Sequence, residues 1–199
     1  MAKVNHEDII HAAIELFNQN GYHATSMRDI ARAIDIKKPS LYHHFDSKEA
    51  ILRTILEAGM NQLLEELEAI VASEGNCENK LTEAVRAHAR IIAQNPKGAA
   101  VFMREDRGLG AAYLADYVER RDRIEALYRM MVQDCIGQGV FRPTDISITV
   151  QAMLGMVNWM TRWYRPEGRL SADEIAQIFS DLLLDGLRNP GEGSDPAGS

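Results

Sequence analysis

From His6 to Leu187 the apolar residues of this chain return every three or four positions, and no run of them alternates with polar residues as a half-buried strand would. A 3.6-residue period belongs to helices laid on a core, and a period of two belongs to strands. A chain with the first pattern throughout and the second nowhere is expected to be all-α. Its 46% hydrophobic and 26% charged residues are enough to bury a real core. Its 199 residues suit one large domain, or a small domain joined to a larger one.

Start and stop signals divide the pattern into about nine helices. Asn5 caps a first helix that Asn20-Gly21 ends, and Thr25 is placed as the cap of a second that buries Met27, Ile30, Ala31 and Ile34. A short third helix runs from Pro39 to Phe45, and Ser47 caps a long fourth over Lys48–Ala72. Further helices are expected over Glu78–Gln94, Lys97–Asp106, Ala111–Ile136 and Asp145–Tyr164. A capping box, Ser171 with Glu174, opens the last one, which runs to Leu187. Residues 189–199, rich in Gly, Pro and Ser, are read as a disordered tail. Asp145–Tyr164 carries too many polar residues to span a membrane, but its apolar residues run nearly all round it. Such a helix needs cover on two sides, a bundle core on one and a partner subunit on the other.

Charge narrows the function. The net charge is −7, yet residues 1–55 hold seven basic and seven acidic side chains, so the rest of the chain carries the whole excess. A nucleic-acid surface would have to be a local patch. Cys77 and Cys135 are too few for a disulfide scaffold, and His11 and Glu15 break the only N-terminal stretch that could read as a secretion signal. The expectation is a cytoplasmic protein with two inert, partly buried thiols. No Gly-rich phosphate loop, GxSxG or HExxH occurs, so no enzyme is expected and no cofactor. His43-His44 is not read as a metal pair, because neighbours on a helix diverge and no Cys or carboxylate is expected to complete a site with them.

The second helix, a four-residue turn and the short third helix have the proportions of a helix-turn-helix, whose second helix enters the major groove. Leu41 and Phe45, at i and i+4, would anchor that helix, leaving Lys37, Lys38, Ser40, Tyr42, His43 and His44 to supply donors and close contacts. Arg28, Lys48 in the first turn of the fourth helix, and Thr25 flank them. The stretch "TSMRDIARAIDIKKPSLYHHFDSKEAIL", Thr25–Leu52, resembles the helix-turn-helix of the TetR family of bacterial transcriptional repressors. It matches the family at Thr25, Ile30-Ala31, Leu41-Tyr42, His44-Phe45 and Ser47-Lys48-Glu49. It departs at Asp35, where the family has a turn glycine, and at Lys37 and Pro39. Asp tolerates the left-handed backbone that such a turn requires. The resemblance implies that Thr25, Tyr42 and Lys48 hold phosphates and that Lys38, Ser40 and His43 lie nearest the bases.

The same resemblance implies a helix-turn-helix domain over residues 1–50 and a ligand-binding and dimerisation domain over residues 51–188. The homodimer would form through the last two helices and sit on a near-palindromic double-stranded operator. The effector would lie among the middle helices, for which the candidates are Phe102, Met103, Tyr113, Tyr117, Tyr128, Met156, Trp159 and Trp163. "FMREDRGLG" and "GMVNWMTRWYRPEGRLSADEIAQIFSDLLLDGL" are similar to the branch of the family that answers to acyl-CoA thioesters in fatty-acid, aromatic or steroid catabolism. Arg104, Arg121 and Arg162 would meet the nucleotide phosphates, with Arg162 favoured because an unpaired charge in an apolar helix is costly. The alternative is a repressor of a multidrug efflux pump that answers to cationic or aromatic drugs through Glu105, Asp106, Asp116 and Glu119.

Overall fold

A computed structural model describes residues 5–103 and 111–189, leaving aside the side chains of Phe102, Ala111 and Ala112. Its helices are α1 (His6–Asn20), α2 (Met27–Ala33), α3 (Lys38–Tyr42), α4 (Lys48–Ala72), α5 (Cys77–Gln94), α6 (Pro96–Phe102), α7 (Ala111–Gly137), α8 (Ile146–Asn158), α9 (Met160–Trp163) and α10 (Ala172–Leu187). The protein is all-α. Among the described residues the one extended pairing is an isolated bridge, Phe141 to Arg188, which ties the end of α10 to the α7–α8 connection. None of these helices is long and apolar enough to cross a membrane.

The sequence signals act where they stand. Asn5 and Ser171 close capping boxes with Asp8 and Glu174, and the Ser47 hydroxyl accepts from the Ala50 N–H. Asp35 is the only non-glycine of positive φ among the described residues, at φ 52°, so it takes the left-handed turn expected of it. The cap of α2 is a correction. Ser26, not Thr25, fills it, in a box with Asp29, and its hydroxyl and N–H hold the Asp29 carboxyl below its ordinary range. Thr25 is instead buried, with its hydroxyl donated to the Gly21 carbonyl at 2.9 Å.

The helix expected over Asp145–Tyr164 is broken at Trp159 into α8 and α9. The Thr161 hydroxyl occupies the Asn158 carbonyl at 2.8 Å, and the Arg162 N–H turns to Trp159 at i−3 instead of Asn158 at i−4. A side chain has outcompeted the backbone ladder there.

α5 is the axis of the larger part. α4, α7, α8 and α10 pack around it, burying Leu81, Ala84, Val85 and Ala89. Cys77, the first residue of α5, lies against Cys135 near the end of α7, and the two form a buried disulfide with Cα atoms 5.3 Å apart. This corrects the expectation of two free thiols. The residues are 58 positions apart on different helices, so their meeting depends on how α5 and α7 pack. The α10 stripe also divides: Ile175, Leu184 and Leu187 face the core while Ile178 and Leu182 face outward.

Candidate functional site

At the N-terminal end, Leu41 is fully buried and Phe45 nearly so, and they hold α3 against the core that Ile9, Ala13 and Ile30 share. With both anchors turned in, Arg28, Lys37, Lys38, Ser40, Tyr42 and His43 are all exposed. Lys38 Nζ lies 5.5 Å from the centroid of the Tyr42 ring, so cation and phenol are presented together. The other three candidates point elsewhere. Thr25 is buried as described. His44 is half-buried, with its Nδ1 3.2 Å from His6 Nδ1 and its ring edge-on to that ring, so it joins α3 to the start of α1. Lys48 donates to the carbonyls of Tyr22 and Thr25, the latter at 2.7 Å, over the Tyr22 ring. Its ammonium fastens the first turn of α4 to the chain leading into α2. Thr25 and Lys48 thus spend their side-chain donors on carbonyls of their own chain.

In the larger part, residues of α4 to α9 line a partly open cavity of about 240 Å³. Its walls are mostly apolar, with Ile55 and Leu63 of α4, Ile92 of α5 and Ile124 of α7 among them. It shares Met103, Arg121, Leu154, Asn158 and Thr161 with an outer vestibule of about 750 Å³ that Trp159, Arg162 and Glu125 complete. Of the candidate ligand residues, Met103 and Arg121 line both spaces, and Trp159 and Arg162 line the vestibule. Arg162 is not the buried charge expected: it is exposed, its guanidinium 5.6 Å from the Trp159 ring, because the helix break carries it to the surface.

Tyr113, Tyr117 and Tyr128 are core residues and are absent from the cavity walls. Tyr113 and Tyr128 spend their hydroxyls on the Arg53 and Ala84 carbonyls. Met156 is half-buried outside the cavity. Trp163 lines a separate groove of about 410 Å³ with Tyr164, Ile178 and Phe179. Arg104 and the side chain of Phe102 lie outside the described residues.

The polar lining was missed. It includes His88, Asn158, Thr161, Gln62 and Gln94. His88 is the one histidine beyond residue 44, and burial pushes its imidazole down to about 4, with Asn158 acting in the opposite direction. A single histidine on the inward face of a helix is the only signal that pointed there.

Two cavity walls also touch the N-terminal unit. α4 runs from the Lys48 clamp to the cavity residues Ile55–Leu63. α6, which contributes Asn95, Gly98 and Ala99, meets α1 through the Lys97 carbonyl, which accepts from Asn18, and through an ion pair of Lys97 with Glu15.

Residues 9–55 match the family model described as bacterial regulatory proteins, tetR family, and residues 74–187 match the tetracyclin repressor-like C-terminal domain. The chain is 32% identical over 186 residues to the HTH-type transcriptional repressor KstR2 of Rhodococcus jostii (strain RHA1), covering 92% of this chain and 91% of that one. The solved structure of the ketosteroid transcriptional regulator KstR2 of Mycobacterium tuberculosis superposes with a TM-score of 0.88 at 25% identity, over 95% of this chain and 97% of that one. AibR, solved in complex with isovaleryl coenzyme A and operator DNA, gives a TM-score of 0.78 at 28% identity, over 90% and 97%.

Proposed function

The chain belongs to the TetR family of bacterial regulatory proteins, and on that premise we propose that it is a homodimeric repressor released from a two-fold operator by an acyl-CoA thioester. The observation that carries the effector class is the pairing of a mostly apolar pocket with an adjoining, larger vestibule bearing Arg121 and Arg162. An acyl group suits the first space and a nucleotide phosphate the second, where guanidinium can bind it bidentately. The isovaleryl coenzyme A held by AibR supports the same class. The efflux reading has less support. Asp116 and Glu119, which it needs as a cation site, line a different hollow with Arg120 and Arg123.

The dimer rests on the outward apolar residues of α8, α9 and α10. Ile148 and Leu182 are 68% and 62% exposed, and Ile178 and Trp163 more than 40%. Large apolar side chains gathered on one face mark an association surface. A two-fold axis there sets two α3 helices on one face of DNA, and two equal half-sites follow. Effector bound in the cavity would favour a different setting of α4 and α6, and release follows if that setting spoils the spacing.

The test is a gel shift with the DNA upstream of the protein's own gene, repeated with a panel of CoA thioesters. A shift at low salt that short, cyclic or long thioesters reverse is expected. A shift that no thioester reverses, while a cationic dye does, would overturn the effector class.

A further inference from the structure

Within the cavity most polar groups are already engaged. Asn95 Oδ1 accepts from the Gly98 N–H as the cap of α6, the Gln62 amide donates to Glu66 and Gln94, and the Thr161 hydroxyl donates to the Asn158 carbonyl. His88 and Asn158 are different. Tyr128 donates its single hydroxyl proton to the Ala84 carbonyl at 3.0 Å, so its oxygen can only accept from His88 Nδ1, 3.4 Å away. The proton of the neutral ring is thereby placed on Nδ1, and Nε2 carries a lone pair. His88 and Asn158 both line the cavity, with Asn158 at its opening into the vestibule. His88 is only 6% exposed, so an apolar ligand that filled the cavity would leave ring and amide facing hydrocarbon. Stripping water from a buried polar group without replacing its bonds is costly.

The inner space sets a second preference for a compact group, although it opens into the vestibule. At about 240 Å³ the cavity is larger than the ~150 Å³ that holds a benzene ring and takes roughly ten non-hydrogen atoms at the same density.

Resting on the acyl-CoA reading above, we infer that His88 and Asn158 make this site selective for a compact acyl group carrying a keto or hydroxyl oxygen, in preference to a plain hydrocarbon chain. A hydroxyl would donate to the pair, and a carbonyl would accept from the Asn158 amide. A site built to hydrogen-bond a ligand oxygen discriminates strongly against the analogue without it.

The experiment measures dissociation constants, by calorimetry on the full chain, for cyclohexanecarbonyl-CoA, its 4-hydroxy and 4-oxo analogues, and palmitoyl-CoA. Wild type is expected to bind an oxygenated analogue at least tenfold tighter than the parent, and palmitoyl-CoA more weakly than either. His88→Phe and Asn158→Leu should erase the preference while still binding the parent ester, and His88→Gln should keep part of it. A melting curve verifies that each variant is folded. Equal binding of parent and analogues by wild type, or an undiminished preference in His88→Phe, overturns the inference and leaves the acyl-CoA reading standing. Failure of all four thioesters to bind sinks both.

Discussion

The two ends of this molecule build a site in opposite ways. The N-terminal patch gathers the exposed Arg28, Lys37, Lys38, Ser40, Tyr42 and His43 within 16 residues of chain, on and beside two short helices held by Leu41 and Phe45. The cavity draws its wall from α4 to α9, from Ile55 to Thr161, and no two neighbouring helices could form it alone. The first site is a property of a motif and the second a property of a packing arrangement. A local change should therefore damage the first without the second, while a change in helix packing should reach the cavity first.

The largest expected effect is on the packing side. The Cys77–Cys135 bond closes a loop of 58 residues, which on a chain-entropy account contributes about 4 kcal/mol. Cys77→Ser, melted without reductant, should lose most of that, and thioester binding should weaken before DNA binding does. A melting temperature indifferent both to the substitution and to dithiothreitol would remove the bond from the account. Next comes the local side. Leu41→Ala should cost about 3 kcal/mol and abolish the gel shift. Thioester binding should persist in that variant, and its loss would mean that the two ends are not separable.

His88 supplies a pH signature that belongs to the cavity end alone. The folded chain keeps the imidazole neutral down to about pH 4, whereas unfolded it protonates near 6.5. Its contribution is present above pH 6.5 and is lost as pH falls toward 4, with about 1.4 kcal/mol already lost at pH 5.5. Denaturant titrations at pH 7 and 5.5 should reveal that slope, and His88→Phe should flatten it. Lys48 sharpens the reading end. If it clamps carbonyls, Lys48→Ala costs about 1 kcal/mol and leaves the salt dependence of operator affinity unchanged. Lys38→Ala should reduce that dependence by about one phosphate contact. A reduced slope for Lys48→Ala would restore it to the phosphates. The smallest effect is at the Lys97–Glu15 pair, where an exposed ion pair contributes at most about 0.5 kcal/mol to stability. Lys97→Ala should change the thioester concentration needed for release more than it changes the melt.

What the sequence made legible follows the same division. The ends of α4, the boxes at Asn5 and Ser171, the left-handed Asp35 and the inward pair Leu41 and Phe45 are written within a few residues of where they act. Even there, composition could not say which of two adjacent hydroxyls caps α2, nor that the Lys48 ammonium turns back onto its own chain. In the larger part, aromatic residues were expected to line the cavity because aromatics line many pockets. Tyr113, Tyr117 and Tyr128 are core residues instead, and the polar lining at His88 and Asn158 depends on the relative rotation of α5 and α8, which no local pattern records. The disulfide was missed for the same reason.

The contacts of α1 with α6 have a mechanical consequence. A body held by one connection can tilt in any direction. Held by two, it keeps a single free rotation, about the line that joins them. The N-terminal unit is fastened to the cavity walls through α4 at Lys48 and through α6 at Asn18 and Glu15. A ligand that shifted either wall would then turn α3 about the line joining these two fastenings, in place of a general loosening.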